Sequence, residues 1–174
     1  WNFDLKLIND YLKVMSQVKI DYVELGFRSL DVSEFRGACA YTTDKFIESL
    51  KIPSKIKICV MINAAEIIKF DKFEDNLKIL KQLFKEKKKT KIKLIRIATH
   101  YDELAKILPL SNWLKKKGYM VAINLMQISS INESEIKNFC NLANKHKIDI
   151  IYFADSTGTL DGERTLRIVN LFKK

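Results

Sequence analysis

The chain has 174 residues, of which 47% are hydrophobic, so it is long enough to bury the core of one domain. It contains five Gly and two Pro, which excludes a linker or low-complexity chain, and no apolar stretch approaches the ~20 residues that a membrane span needs. The net charge of +10 comes mainly from lysines clustered where helices are predicted to end, without interleaved arginines or aromatics. This pattern favours a solvated surface over a nucleic-acid interface.

The chain has three cysteines, an odd number, and no CxxC pair. This pattern predicts a protein of the reducing cytoplasm, without a disulfide framework or a zinc ribbon. Cys59 lies in an apolar stretch and is predicted to be a core thiol, and Cys140 lies in a helical pattern. Cys39 lies in a predicted polar loop, where a nucleophile is possible but disfavoured, because neither His is near it in sequence. No signal peptide is visible, and the missing initiator Met predicts that the chain begins inside a longer protein.

Taken in chain order, the apolar periodicities alternate strictly between helix and strand. Asn132 and Glu135 form the start of a capping box, and Asp161 is placed to cap the last helix. The elements predicted are helix 3–18, strand 21–27, helix 43–50, strand 55–62, helix 71–87, strand 92–98, helix 101–117 interrupted at Pro109, strand 119–125, helix 132–146, strand 149–154 and helix 162–172.

The predicted strands are nearly continuous apolar stretches, as in parallel strands covered on both faces. Alternation of this kind is typical of a doubly wound sheet or a (β/α)8 barrel. Polar residues follow almost every strand, which favours the barrel, because all its strands end on the one face that carries the active site. No Gly-rich phosphate loop is present. These polar residues are Asn63, Thr99, His100, Gln127, Ser129, Asp155, Ser156 and Thr157.

Five strands and six helices cannot close a barrel of eight strands. Because the pattern opens and ends on a helix, we expect the first and last strands to be missing. Residues 1–174 are therefore predicted to be a single fragment of a (β/α)8 barrel of the α/β class. Its open edges carry unpaired backbone groups and are expected to aggregate or to pair with another chain.

Three polar residues lie inside the predicted strands rather than after them: Glu24, Arg96 and Asn124. Charged side chains are rarely buried without a partner, and Arg forms bidentate pairs with carboxylates. Arg96 is therefore predicted to pair with Glu24 inside the barrel, the alternative being that each caps its own strand. Asn124 is equally compatible with an interior hydrogen bond and with a solvent-facing position.

Four segments resemble one known family, in the same order along the chain. Residues 95–103 (IRIATHYDE) and 151–159 (IYFADSTGT) resemble the fourth- and sixth-strand signatures of 4-hydroxy-2-oxovalerate aldolases. Residues 22–27 (YVELGF) and 118–126 (GYMVAINLM) resemble the second and fifth strands of the same group. This group belongs to the HMG-CoA lyase-like family, also called the DRE-TIM metallolyases or the pyruvate carboxyltransferase domain.

The resemblance implies a carbon–carbon lyase that acts on a 2-oxo acid through an enolate stabilised by a divalent metal, Mn or Mg. It places Ser156 against the keto acid, with Asp155 and His100 in the same substrate site, and it matches Glu24 to the family's second-strand Glu. His100 could instead cap the next helix. Glu24, Arg96 and Asn124 are expected to support the residues that contact the substrate. The family's Arg-Asp and His-x-His motifs are absent, so catalytic residues are not identified, the metal ligands are expected outside this chain, and the chain alone is expected to be inactive.

Two alternatives remain for the function: a Claisen-type acyltransferase such as an isopropylmalate or homocitrate synthase, and a non-catalytic barrel used for regulation or assembly. Nucleic-acid binding is a weaker third. Asp155 and Ser156 could instead cap the last helix, but Asp161 is better placed for that role. The expected partners are a small 2-oxo acid and a second copy or a dehydrogenase, with no membrane and no nucleic acid.

Overall fold

The computed structural model describes residues 1–31 and 33–173. Its strands are β1 (Tyr22–Phe27), β2 (Lys57–Asn63), β3 (Ile92–Thr99), β4 (Met120–Leu125) and β5 (Ile150–Phe153). Its helices are α1 (Leu5–Gln17), α2 (Ala38–Tyr41), α3 (Asp44–Ser49), α4 (Ala64–Ile67), α5 (Phe73–Leu83), α6 (Leu104–Lys116), α7 (Glu133–Lys145) and α8 (Gly162–Phe172), with 3₁₀ turns at Lys87–Lys89 and Ile128–Ser130. All eleven predicted elements are present, with ends that shift by a few residues.

The helix starts follow local side-chain chemistry. The capping box between Asn132 and Glu135 is confirmed, as is the cap of α8 by Asp161, which accepts a hydrogen bond from the Arg164 N–H. The predicted interruption at Pro109 is wrong, because α6 runs without a break through it. Pro109 has no N–H to donate to the helix, and the burial of Leu108 and Leu110 on either side of it offsets this missing hydrogen bond.

The five strands form one parallel sheet in the order β1-β2-β3-β4-β5. Each strand therefore lies beside the next one in sequence, and the order never reverses as it does at the switch point of a doubly wound sheet. No helix in the described part of the chain is long and apolar enough to cross a membrane.

The sheet curls strongly, and one contact demonstrates this. The Tyr22 hydroxyl on β1 lies 3.2 Å from the Met120 sulfur on β4. In a flat sheet, three strand spacings would separate these strands by about 14 Å. The chain is therefore a partial (β/α)8-type barrel with an open sheet, as the alternation of elements predicted.

The two faces of the sheet have different cores. The main core lies between the convex face and the helices and contains most of the buried Ile and Leu side chains. A smaller cluster lies on the lower part of the concave face, where Cys59, Leu94 and Ala122 contact the half-buried Tyr22, Met120 and Ile150. Side chains on the concave face thus point toward the axis of the incomplete barrel.

Two four-residue helices, α2 and α4, were not predicted, since a single turn is too short to show a periodicity. Cys39 lies in α2 and is buried, so its prediction as a loop residue is wrong. Burial raises the pKa of the Cys39 thiol, which argues further against a nucleophile. Cys59 is buried as predicted.

Candidate functional site

The centre of the concave face is an ion pair between β1 and β3. The Nε and Nη2 atoms of Arg96 each donate a hydrogen bond of 2.6 Å to a different carboxylate oxygen of Glu24. The two side chains are 24% and 30% exposed, and the hydrogen bond to Glu24 raises the pKa of Arg96. The predicted pairing is confirmed, and the alternative in which each residue caps its own strand is wrong.

Cys59 lies beneath this pair, with its sulfur 3.7 Å from a carboxylate oxygen of Glu24. Burial and the adjacent negative charge of Glu24 raise the pKa of the Cys59 thiol to about 12. The thiol is therefore protonated at neutral pH and packs as part of the lower concave cluster rather than acting as a nucleophile.

Arg96→Met is expected to lower the free energy of unfolding by about 1.5–3 kcal/mol, because it removes two charge-assisted hydrogen bonds and leaves Glu24 unpaired. Urea unfolding measures the change, and a double-mutant cycle with Glu24→Gln isolates the pair. The matched control is Arg167→Met, which breaks the exposed pair with Glu163 (2.7 Å) and should cost much less. Equal losses in the two variants would contradict a structural role for the concave pair.

The loop after β5 is organised by Asp155. Its carboxylate accepts hydrogen bonds from the Leu160 N–H (2.8 Å), the Ser129 hydroxyl (2.8 Å) and both the N–H and the hydroxyl of Thr157 (3.3 and 2.8 Å). These bonds, above all that from Leu160, hold the pKa of Asp155 well below its usual range. Asp155 therefore fixes the shape of the loop, while its contact with a substrate stays a prediction.

Residues 156–159 of this loop are exposed. The hydroxyls of Thr157 and Thr159 hydrogen-bond each other (3.0 Å), whereas the Ser156 hydroxyl makes no hydrogen bond within residues 1–31 and 33–173. The neighbouring Asp155 network holds its backbone in place. An exposed hydroxyl on a fixed loop at the carboxyl end of a barrel strand is well suited to bind a ligand.

His100 follows β3 at the same end of the sheet. Its backbone N–H donates to Glu103 (2.7 Å), which also receives the Thr99 hydroxyl (3.1 Å) just before α6 begins. The half-buried imidazole of His100 forms no hydrogen bond within the described residues, so its role in the substrate site stays a prediction. The other histidine, His146, is half-buried at the end of α7, and its Nδ1 lies 2.9 Å from the Asn112 amide nitrogen.

The upper row of the concave face lies between the ion pair and this rim. Backbone pairing aligns Asn63, Ala98, Asn124 and Tyr152 across β2 to β5. Asn124 is buried, which favours the interior position over the solvent-facing one. Tyr152 was not predicted as a site residue, although its two-residue spacing from Ile150 on a strand indicates the concave face.

The described residues do not fit a divalent metal. Among residues 1–31 and 33–173, no group of three or more His, Cys, Asp or Glu side chains is arranged to hold a metal ion.

Comparison with known proteins adds a fold relationship. A scan against models of protein families found no match, and neither did a search of curated proteins. The structure is similar to a solved one, "the N-terminal domain of a putative aldolase from Bacteroides vulgatus", with a TM-score of 0.78 and 23% sequence identity. The chain has an aldolase-like fold. The match covers 99% of this chain and 55% of that one, so the chain spans about half the length of its structural neighbour.

Proposed function

We propose that this chain forms part of a carbon–carbon lyase of the aldolase type, and that it contributes one wall of a site for a 2-oxo acid. The observation that carries the proposal is the exposed Ser156 hydroxyl, held on the Asp155 loop at the carboxyl end of β5. Barrel enzymes bind their substrates at this end of the sheet. The aldolase-like fold supports the same interpretation.

The residues of this chain would bind and orient the substrate. Ser156 donates its hydroxyl to the carboxylate or the keto oxygen of the 2-oxo acid, a charge-assisted bond if the acceptor is the carboxylate. The pair of Glu24 and Arg96 lies lower on the concave face and adds no net charge to it. The divalent metal that the resemblance implies would be held by residues other than those described here, where it would supply Lewis-acid chemistry.

Ser156→Ala is expected to lower kcat/KM for pyruvate release from 4-hydroxy-2-oxovalerate about 10- to 100-fold, the effect of losing one hydrogen bond to a charged group. The assay uses the protein in its natural full length with Mn²⁺ or Mg²⁺ and follows pyruvate with a coupled dehydrogenase. The control is Ser134→Ala on the exposed surface of α7, which should not change the rate.

The same preparation separates the alternatives. Consumption of an acyl-coenzyme A with the 2-oxo acid, without pyruvate release, would favour the Claisen-type acyltransferase. Metal binding without turnover of either kind would favour a non-catalytic barrel. An unmodified protein that releases no pyruvate, or a Ser156→Ala variant as active as the Ser134→Ala variant, would overturn the proposal.

A further inference from the structure

The concave face is packed in its lower part and unpacked in its upper row. In the lower part, apolar contacts and the Glu24–Arg96 pair fill the space between the strands. In the upper row, Asn63 turns away to cap α4 by accepting a hydrogen bond from the Ala65 N–H (3.1 Å). Ala98, which has only a methyl group, is the register neighbour of Asn124 on β3. The apolar packing of the lower cluster therefore does not continue into this row.

Two polar side chains of the upper row have no partner within the described residues. Asn124 on β4 and Tyr152 on β5 are paired residues in the register, so their side chains lie side by side on one face. Neither the Asn124 amide nor the Tyr152 hydroxyl makes a hydrogen bond within residues 1–31 and 33–173. Every buried side-chain nitrogen and oxygen of the described residues has a partner, so these two unpaired groups are accessible to solvent, and Tyr152 is 40% exposed. A bound molecule can therefore replace water as their hydrogen-bond partner.

The surroundings of Tyr152 are close to neutral. Burial, and then the neighbouring Cys59, raise the pKa of the Tyr152 hydroxyl, whereas Arg96 lowers it. The hydroxyl is therefore protonated at neutral pH. Arg96 is the nearby cation, but its charge is already compensated by two hydrogen bonds to Glu24. Asn124 and Tyr152 thus present hydrogen-bonding groups without a net positive charge, which suits a neutral oxygen better than a carboxylate.

We propose that Asn124 and Tyr152 bind the neutral oxygen on C4 of a 4-hydroxy-2-oxo acid, which becomes the carbonyl oxygen of the aldehyde product. This inference rests on the proposed function. The C4 oxygen is a hydroxyl before cleavage and a carbonyl afterwards, so it changes from donor and acceptor to acceptor only. An amide and a phenol can both donate and accept, so this pair matches the oxygen in both states.

The two halves of the substrate are then held by different residues. Ser156 on the rim contacts the 2-oxo acid, and the upper concave row contacts the aldehyde. Removal of the Tyr152 hydroxyl or the Asn124 amide should weaken the reaction with the aldehyde. The reaction of pyruvate in the absence of an aldehyde should not change. A general loss of structure would damage both.

The experiment compares two reactions of the full-length protein with Mn²⁺ or Mg²⁺. The first is exchange of pyruvate methyl protons with solvent deuterium, followed by NMR, in which a C3 proton leaves and a deuteron replaces it without any aldehyde. The second is addition of pyruvate to acetaldehyde. Tyr152→Phe and Asn124→Leu are expected to lower kcat/KM for acetaldehyde about 3- to 10-fold, mainly through KM, and to leave the exchange rate within about twofold.

Tyr22→Phe is the matched control, since Tyr22 is also on the concave face but its hydroxyl contacts Met120 in the packed lower part. It should leave both reactions unchanged. The inference is overturned if Tyr152→Phe leaves the use of acetaldehyde unaltered, if it slows proton exchange as much as addition, or if Tyr22→Phe has the same effect. Absence of both proton exchange and addition in the unmodified protein would overturn the proposed function as well.

Discussion

Asp44→Ala is expected to lower the free energy of unfolding by about 3–5 kcal/mol, because it leaves the buried guanidinium of Arg28 without its carboxylate partner. Arg28 follows β1, and its Nη2 lies 2.8 Å from the Asp44 carboxylate at the start of α3. Both side chains are only 8% exposed. The Thr90 hydroxyl donates a further hydrogen bond to Asp44 (2.7 Å), and the Arg28 guanidinium lies 5.2 Å from the Phe84 ring centre.

Chemical unfolding of Asp44→Ala measures this loss, and Asp10→Ala is the control. Asp10 pairs with Lys6 on the exposed face of α1, so its removal should change stability little. The double variant Arg28→Met with Asp44→Leu should recover much of the lost stability, because it removes both buried charges. A single variant as stable as the control would mean that this pair does not hold α3 against the sheet.

The same pair gives stability a defined dependence on pH. Burial alone would raise the pKa of Asp44, but hydrogen bonds from Arg28 and Thr90 and the charges of Arg28 and Lys85 outweigh it and lower the pKa. The ionised Asp44 carboxylate therefore contributes fully to the free energy of unfolding above its unfolded-state pKa of about 3.9. This contribution is lost as the pH falls through the lower folded-state pKa. The protein should lose stability as the pH falls below about 4, and Asp44→Ala should lose less over that range.

Gly26→Ala is expected to cost about 3 kcal/mol or more, through a clash and through backbone strain. Gly26 lies where the register between β1 and β2 shifts, and its φ is +143°. A β-carbon added there would lie 2.1 Å from the carbonyl oxygen of Cys39. Because that oxygen belongs to the backbone of α2, a side-chain rotation cannot relieve the clash.

Gly162→Ala is the matched control for this substitution. A β-carbon added at Gly162 meets no atom within 4 Å, and the residue is the first of α8. Alanine there should leave stability unchanged or raise it slightly by restricting the unfolded chain. Equal unfolding midpoints for Gly26→Ala and Gly162→Ala would show that α2 does not pack against β1 as described.

Most of the fold could be predicted from the sequence, because its elements are long enough for a periodicity to show. Strands such as β3 are continuous apolar stretches, and helices such as α7 combine apolar spacing with a capping box. The pairing of Glu24 with Arg96 could also be predicted. Both charges interrupt apolar strands, where a charged side chain needs a partner of opposite charge. The short helices α2 and α4 lack such a signal.

The rest of the site depends on contacts that no local pattern encodes. The pair of Arg28 and Asp44 joins the segment after β1 to the first residue of α3, and neither residue stands out from an ordinary surface charge in the sequence. The curl of the sheet also brings Tyr152 within the electrostatic influence of Arg96 from two strands away. Ser156 stands out in the sequence through the resemblance of residues 151–159, and its contact with a substrate stays a prediction. The shape of its loop depends on the bonds that Asp155 makes with Ser129 and Leu160.

The most direct test of the function is a crystal structure of the full-length protein with pyruvate bound in the presence of a divalent metal. The decisive quantity is the distance from the Ser156 hydroxyl oxygen to the nearest oxygen of pyruvate. We predict a hydrogen bond of about 2.6–3.0 Å at the carboxyl ends of the strands. Pyruvate bound elsewhere, with the Ser156 hydroxyl turned to solvent, would contradict the account.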